Sequence, residues 1–279
     1  MKAKLMGIVN VTPDSFSDGG EFLDPERAIA HGRKLAEEGA DVLDVGGEST
    51  RPGAEAVPAE EELRRVRPVV EALAADGGPE VSIDTSKSAV AAVALDAGAT
   101  IVNDVTAFRA DPDLAALCAE RDSELILMHM LGDPRTMQEN PTYDDVVEEV
   151  KAFLADRIEF AVSAGVDEGR IWVDPGIGFG KTVEHNLELH RRLRELAELG
   201  RPIAFGSSRK SFIGKLTGAP VDERVGGTIA SCVIAYATGA DILRVHDIRP
   251  VREALTVAEA ILEPTRAALI GDRLLQSAP

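Results

Sequence analysis

The stretch DPERAIAHGRKLAEEGADVLDV, residues 24–45, contains one complete unit of the repeating pattern that decides the fold. Asp24 can cap a helix, Pro25 suits its first position, and Gly39 is placed where the helix would end. The apolar run VLDV that follows is typical of a buried strand. Glycine followed by an apolar run recurs in GATIVND from residue 98 and in GADILRV from residue 239. The repeat therefore predicts helices that alternate with strands.

Short apolar runs of this kind occur eight times along the chain. In order they are KLMGIV, VLDV, VSI, TIV, LILM, IWV, PIAF and ILRV. Helical patterns separate most of them, and such alternation predicts a parallel sheet with right-handed crossovers. Eight units favour one α/β domain over residues 1–279, a (β/α)8 TIM barrel, over a doubly wound sheet.

The composition excludes several classes of protein and partner. With 279 residues, 44% hydrophobic and 28% charged, the chain fits a globular protein with a sizeable core. Its net charge of −18 argues against nucleic acid or a membrane surface as a partner, since both would be repelled. An anionic small ligand remains compatible with that charge, because screening acts over roughly 8 Å and a local basic cluster can dominate a pocket.

The cysteines and the first residues bear on the compartment. Cys118 and Cys232 lie far apart with no C-x-x-C, so neither a disulfide framework nor a zinc site is indicated. A reducing cytoplasm is the expected location. Asn10 and Pro13 interrupt the first apolar run sooner than a signal peptide or a membrane span would allow.

Polar or charged residues follow every one of the eight runs. They are Asn10, residues 46–51, Asp84, Asn103 with Asp104, His129, Asp174, residues 207–211, and Arg244 with His246. The carboxyl ends of the strands of a parallel barrel surround one mouth, so we expect these residues to converge on a single site. A lone Asp or Asn there is more often a helix cap or an Asx turn. The combined set, which also includes Lys210 and Arg51, exceeds any need for capping.

Arg244 and His246 are two residues apart, so on a strand their side chains point to the same face. The pair predicts an anion clamp, and a surface pair at the strand exit is the alternative. For His129 we favour a packing role over a catalytic one. Met128 either fills the core or lines a flat apolar cavity.

The other histidines, His31, His185 and His190, fall in helical patterns. His185 and His190 are five residues apart, not the three or four that would share a helix face, so a metal role is not indicated.

The stretch DPGIGFGKT, residues 174–182, is close to a phosphate loop but does not match one. The pattern G-x-x-x-x-G-K-[ST] requires glycine where Pro175 stands, and the G-x-G-x-x-G spacing fails as well. An aspartate at a strand end followed by a glycine-rich turn is what remains.

From end to end the chain resembles the monofunctional bacterial dihydropteroate synthases. The motifs that carry the resemblance are MGIVNVTPDSFSDGG (6–20), GGESTRPGA (46–54), DTSKSAVA (84–91), NDV (103–105), LMHM (127–130), PRTMQENPTY (134–143), DPGIGFGKT (174–182), GSSRKSFIG (206–214) and RVHD (244–247). The family's fold is a (β/α)8 barrel, in agreement with the eight runs. The resemblance implies a transferase of folate biosynthesis, which joins 4-aminobenzoate to 6-hydroxymethyl-7,8-dihydropterin diphosphate and releases pyrophosphate, with Mg²⁺ as cofactor.

The resemblance also implies roles for individual residues. Pterin contacts are implied for Asp84, Asn103, Met128, Asp174 and Lys210. Diphosphate contacts are implied for Asn10, Arg51, Arg244 and His246, with Asn10 also a Mg²⁺ ligand. Aminobenzoate contacts are implied for Thr50, Pro52, Phe179 and Ser211. The implied catalytic set is Arg51, Lys210, Arg244, His246 and Asp18, and Asp18 belongs with Phe16 to the family's first loop. A homodimer and inhibition by sulfonamides, which mimic aminobenzoate, are implied as well.

These residue types suit the implied chemistry. A pterin presents N–H donors along one edge, which carboxylates accept in a paired geometry. Departure of diphosphate leaves negative charge that arginines, a histidine and Mg²⁺ would stabilise. Ser211 is placed to open a short helix whose N–H groups could hold the aminobenzoate carboxylate.

Two other functions stay open on the sequence alone. One is a related barrel that transfers a folate methyl group to a corrinoid protein, which would have no reason to keep STRPGA or SRKS. The other is a paralogue that binds a pterin without turnover.

Overall fold

Eight parallel strands alternate with helices in the computed structural model, which describes residues 2–12, 25–50, 53–134 and 136–276, with side chains up to residue 262. The strands are β1 Lys4–Asn10, β2 Val42–Gly46, β3 Glu80–Asp84, β4 Ile101–Asp104, β5 Glu124–Met128, β6 Ile171–Asp174, β7 Ala204–Phe205 and β8 Ile242–Val245. Each of the eight apolar runs of the sequence overlaps one of these strands.

Helices occupy the segments between the strands. They are α1 Pro25–Glu37, α2 Ala59–Ala75, α3 Ser88–Asp96, α4 Asp113–Glu120, α5 Val146–Ser163, α6 Val183–Arg191, α7 Ser211–Thr217, α8 Val225–Thr238 and α9 Ile248–Gln276, with 3₁₀ turns at Glu168–Arg170, Leu193–Leu199 and Val221–Glu223. Helix α1 begins at Pro25 as predicted, whereas Asp24 lies outside the described residues.

The glycines of the repeat each end a helix and lead into a strand. Gly39, Gly98 and Gly239 have φ of +99°, +107° and +121°, a region that side chains with a Cβ rarely adopt. The predicted order of helix, glycine and strand is confirmed at all three positions.

The strands are hydrogen-bonded in the order β6-β5-β4-β3-β2-β1-β8-β7, and every ladder is parallel. The two edge strands meet through a bridge between Val173 and Ile203, where Val173 N donates to Pro202 O over 3.0 Å. The sheet is therefore a barrel, and the (β/α)8 prediction is confirmed.

The barrel interior is apolar at one level and polar at the next. The apolar layer is Met6, Val42, Ile101, Ile126, Trp172, Ala204 and Ile242. Alternate residues of a strand share a face, so four of the seven interior positions two residues nearer the carboxyl ends belong to Asp44, Asn103, Asp174 and Arg244. The strand period thus places these polar side chains directly above the apolar layer, at the mouth where barrel enzymes have their sites.

Of the helices in the described part of the chain, none is both long enough and apolar enough to cross a lipid bilayer.

Candidate functional site

Arg244 on β8 lies between two carboxylates inside the barrel. Its Nε donates to Asp44 Oδ2 over 2.6 Å, and its Nη2 donates to Asp84 Oδ2 over 2.7 Å. Asn103 Nδ2 donates to the same Asp44 oxygen over 3.1 Å. These four side chains, called here the Arg244 cluster, connect strands β8, β2, β3 and β4 at their carboxyl ends.

Asp44 was missed by the sequence-based site prediction. It is completely buried and accepts hydrogen bonds from two residues that were predicted. The available signal was the acidic residue inside the apolar run VLDV, because a buried carboxylate requires a partner.

Asp174 and Lys210 form the facing wall of the mouth. Asp174 Oδ1 accepts from Gly176 N over 2.7 Å, and Lys210 Nζ donates to Ile177 O and lies 4.4 Å from the Phe179 ring centroid. A Cβ built on Gly206 would lie 3.9 Å from Asp174 Oδ2 and 3.7 Å from Arg244 Cβ. The two walls therefore meet beside β7, and the predicted convergence of Asp84, Asn103, Asp174, Lys210 and Arg244 is what the structure contains.

Desolvation shifts the pKa values of Asp84, Asp174 and Lys210 toward neutrality. It raises the pKa of Asp84 to about 7, although the positive charge of Arg244 acts in the opposite direction. It also raises the pKa of Asp174, against the attraction of Lys210. The pKa of Lys210 falls to about 7 for the same reason, opposed by Asp174. Acids and a base whose pKa values are shifted by desolvation in one cleft are typical of a functional site.

An apolar surface lies beside the charged residues. Met128 is buried and packs with Val105, Met130 and Met137, and the half-buried Phe179 packs against them. Acceptors along one edge and an apolar face beside them complement a flat heterocycle that carries N–H donors.

A cavity of about 440 Å³ opens beside the Arg244 cluster. Its lining includes Thr50, Asp84, Thr106, Arg109 and Met130. Asp84 belongs to both the cavity and the cluster, and the volume falls within the range of small-molecule sites.

The remaining described candidates lie at the rim of the mouth. His246 Nδ1 is 2.9 Å from Ser208 Oγ, which also accepts from the His246 backbone N–H over 3.2 Å, so the ring orientation is fixed. Asn10 ends β1, half-buried and opposite Gly46 in the ladder. Ser211 is the first residue of α7, as predicted.

Four predicted residues, Arg51, Pro52, Asp18 and Phe16, lie outside the described residues.

Several other polar residues considered in the sequence analysis have local structural roles. Asp104 accepts from Thr106 N over 2.8 Å and from Phe108 N over 2.6 Å, so the Asx-turn interpretation applies to it. His185 completes a capping box with Thr182 at the start of α6. His190 is buried, with Nδ1 2.6 Å from Asn186 O and Nε2 2.7 Å from Ser231 Oγ. His129 is buried, in agreement with the packing role favoured from the sequence, and its Nδ1 lies 2.9 Å from Lys181 Nζ.

Comparison with known proteins identifies relatives over nearly the whole chain. A family model described as “Pterin binding enzyme” matches residues 6–246, from β1 to His246. A dihydropteroate synthase of Synechocystis sp. is 46% identical over 258 residues, 92% of this chain and 89% of that protein. The solved Xanthomonas albilineans dihydropteroate synthase with 4-aminobenzoic acid is 50% identical, with a TM-score of 0.88 and 93% of each chain covered. The Yersinia pestis dihydropteroate synthase in a sulfonamide drug complex is 43% identical, with a TM-score of 0.90, covering 94% of this chain and 95% of that one.

Proposed function

Since the chain belongs to the pterin-binding enzymes and, among them, to the dihydropteroate synthases, we propose that it condenses 4-aminobenzoate with 6-hydroxymethyl-7,8-dihydropterin diphosphate. The products are 7,8-dihydropteroate and pyrophosphate, so the enzyme is a transferase of folate biosynthesis. The observation that carries the proposal is the Arg244 cluster facing Asp174 and Lys210 across the mouth, with an apolar wall beside them.

The pterin binds within that arrangement. Asp84 and Asp174 accept its N–H donors, Asn103 offers both a donor and an acceptor, and Lys210 donates to a ring acceptor. Met128 packs against the ring face. The burial of Asn103, Asp174 and Met128 supports these roles, because hydrogen bonds in a dry, low-dielectric site discriminate strongly against a ligand that leaves them unpaired.

The reaction forms a C–N bond from the aryl amine to the pterin methylene carbon and breaks the C–O bond to diphosphate. Negative charge develops on the leaving oxygens, which Arg51, Arg244 and His246 stabilise. Arg244 uses Nε and Nη2 on the two carboxylates, so Nη1 is the nitrogen left to donate to the leaving group. The attacking amine is neutral at pH 7, so no strong general base is needed. Asp18 completes the catalytic set by family likeness.

Aminobenzoate binds on the side of the mouth formed by the loops after β2, β6 and β7. Ser211 and Lys210 lie next to each other at the start of α7, where a carboxylate finds N–H and ammonium donors. Phe179 packs against the benzoate ring, and family likeness adds Thr50 and Pro52 to the aminobenzoate contacts. A sulfonamide competes with aminobenzoate for this subsite, and the Yersinia pestis relative has been solved in complex with a sulfonamide drug.

Mg²⁺ fits this site as a partner of the substrate and of Asn10. No group of three or more His, Cys, Asp or Glu able to hold a metal occurs among the residues described. Mg²⁺ keeps several waters and commonly binds substrate phosphates with one or two protein oxygens, so the single Asn10 amide oxygen suits it. When bound, the ion supplies positive charge to the departing diphosphate.

Quaternary structure and location complete the proposal. The chain is one domain over residues 1–279 and forms a homodimer in a reducing cytoplasm. Exposed apolar residues on the neighbouring helices α7, α8 and α9, namely Leu216, Ile234 and Val257, support a buried contact between copies. Light scattering should give about 59 kDa, twice the 29.6 kDa of one chain.

The decisive experiment is a pyrophosphate-release assay with the pterin diphosphate, aminobenzoate and Mg²⁺. We expect release that depends on aminobenzoate and that excess sulfonamide suppresses. No release under conditions that support a control enzyme would reject the function. Pterin binding by calorimetry without release would indicate the non-catalytic paralogue instead, and methyl transfer to a corrinoid protein would indicate the methyltransferase barrel.

A further inference from the structure

The glycine turn, residues 176–180 between β6 and α6, is held through consecutive carbonyl groups. Lys210 Nζ donates to Ile177 O, and Gln138 Nε2 donates to Gly178 O over 2.6 Å. Lys181 Nζ donates to Phe179 O over 3.1 Å, and Tyr143 OH donates to Gly180 O over 2.8 Å. A turn with four successive carbonyls bonded to side chains has little freedom to shift.

Lys181, which follows the turn, is buried and has no acidic hydrogen-bond partner among the described residues. Lys181 is 3% exposed, and its Nζ contacts Phe179 O and, over 2.9 Å, His129 Nδ1. Burial lowers the pKa of Lys181 well below its usual range, and burial together with the nearby Lys181 lowers the pKa of His129 to about 2. A buried amine with these partners is unfavourable for folding, since lysine is rarely buried unless paired. The buried position of Lys181 is better explained by the groups that its amine hydrogen-bonds.

Lys181 holds the residue that forms the aromatic edge of the proposed aminobenzoate subsite. The Phe179 ring faces Lys210 Nζ at 4.4 Å and packs on the apolar cluster that includes Met128. Lys181 bonds the Phe179 carbonyl, while Lys210 bonds the Ile177 carbonyl two residues earlier. The two lysines thus fix alternate peptide groups of one turn.

His129 gives the Lys181 amine a rigid anchor. The imidazole is 5% exposed and packs edge-on against the Phe153 ring, with centroids 4.9 Å apart. Its backbone N–H donates to Asp174 O over 3.0 Å. Lys181 therefore connects Phe179 to the strand end that carries Asp174.

We propose that Lys181 is a positioning residue that fixes Phe179 against Lys210, through its bonds to the Phe179 carbonyl and to His129, and so sets the affinity for aminobenzoate. The inference rests on the proposed function and assigns Lys181 to only one of the two substrates. Asp84 and Asn103, two of the proposed pterin contacts, lie on β3 and β4, whereas the Lys181 amine hydrogen-bonds Phe179 O and His129 Nδ1.

The test is Lys181→Met in the full chain, with the KM of each substrate measured by pyrophosphate release. Methionine fills similar space but cannot donate. We expect the aminobenzoate KM to rise about tenfold, the effect of one lost hydrogen bond at a buried site, and the pterin KM to stay within about twofold. A purely structural role would alter stability and leave the ratio of the two KM values unchanged.

Tyr143→Phe is the matched control, because it removes a single hydrogen bond from the same turn at Gly180, beyond Phe179. We expect both KM values of that variant to stay within about twofold of wild type. An aminobenzoate KM unchanged in Lys181→Met, or raised equally with the pterin KM, would overturn the inference.

A second variant keeps the test open if Lys181→Met does not fold. His129→Gln leaves the lysine in place and removes its aromatic anchor. We expect the aminobenzoate KM of this variant to rise more than its pterin KM. An equal change in the two KM values would overturn the inference. The wild-type assay judges the proposed function on its own. An inactive wild type would reject that function together with this inference, whereas an active wild type with an unaltered Lys181→Met would reject the inference alone.

Discussion

Asp44→Asn removes the charge of Asp44 while keeping its size. The carboxylate is 0% exposed, and its Oδ2 accepts from Arg244 Nε at 2.6 Å and from Asn103 Nδ2 at 3.1 Å. An asparagine oxygen can accept both bonds in the same place. The variant therefore measures what the negative charge contributes to holding Arg244 and Asn103 in position.

The expected magnitude follows from the two bonds. A hydrogen bond to a charged group contributes about 1.5–3 kcal/mol, against about 0.5–1.5 kcal/mol between neutral groups. Arg244 keeps its ion pair with Asp84 at 2.7 Å, so the loss should stay below the roughly 3–5 kcal/mol of a buried charge that loses its partner. We expect a loss of about 1–2 kcal/mol, which lowers kcat/KM for the pterin diphosphate about 5- to 30-fold.

A pH profile gives a second, independent result. The charge of Asp44 raises the pKa of Asp84, because two neighbouring anions disfavour each other. A neutral residue at position 44 should therefore lower the pKa of Asp84 and move the acid limb of log kcat/KM to lower pH.

Asp41→Asn is the control for Asp44→Asn. Asp41 precedes the same strand at the opposite end of the barrel, where it accepts from Leu5 N over 2.7 Å and pairs with Arg252. This variant should leave kcat/KM unchanged. The reasoning about Asp44 is refuted if Asp44→Asn retains kcat/KM within about twofold of wild type with its acid limb in place.

Other substitutions test separate parts of the site. Asp174→Asn keeps the acceptor for Gly176 N but loses the charge, so calorimetry should record pterin affinity lowered about tenfold with unchanged stability; unchanged affinity contradicts the assignment. Because burial brings the pKa of Lys210 to about 7, activity that needs its ammonium should fall as the pH rises through about 7, and Lys210→Met should lack this limb of the profile. Gly176→Ala places a Cβ onto the His129 carbonyl oxygen at φ +68°, so denaturant unfolding should reveal a loss of more than about 2 kcal/mol. Gly200→Ala, at φ +66° in open space, should lose only about 1 kcal/mol, and equal losses in the two variants would contradict the steric argument.

The sequence by itself determined the order of the elements and the edge at which the site forms. Glycine after a helical pattern, as at Gly39 and Gly239, and apolar runs of strand length are local signals, since they reflect the preferences of a few neighbouring residues. The strands of a parallel barrel place their carboxyl ends at one mouth whatever their side chains are, so the sequence alone assigns Asp84, Asn103 and Asp174 to one site.

The tertiary structure alone decided which side chains contact each other across the closed barrel. Arg244 was predicted to clamp an anionic ligand, but the sequence did not indicate its partner Asp44, a residue 200 positions away within an otherwise apolar run. The pairing of Lys181 with His129 spans 52 positions and carries no local signal either. Such contacts depend on barrel closure and on the small space in which buried polar groups must satisfy one another, and no short segment of sequence encodes that space.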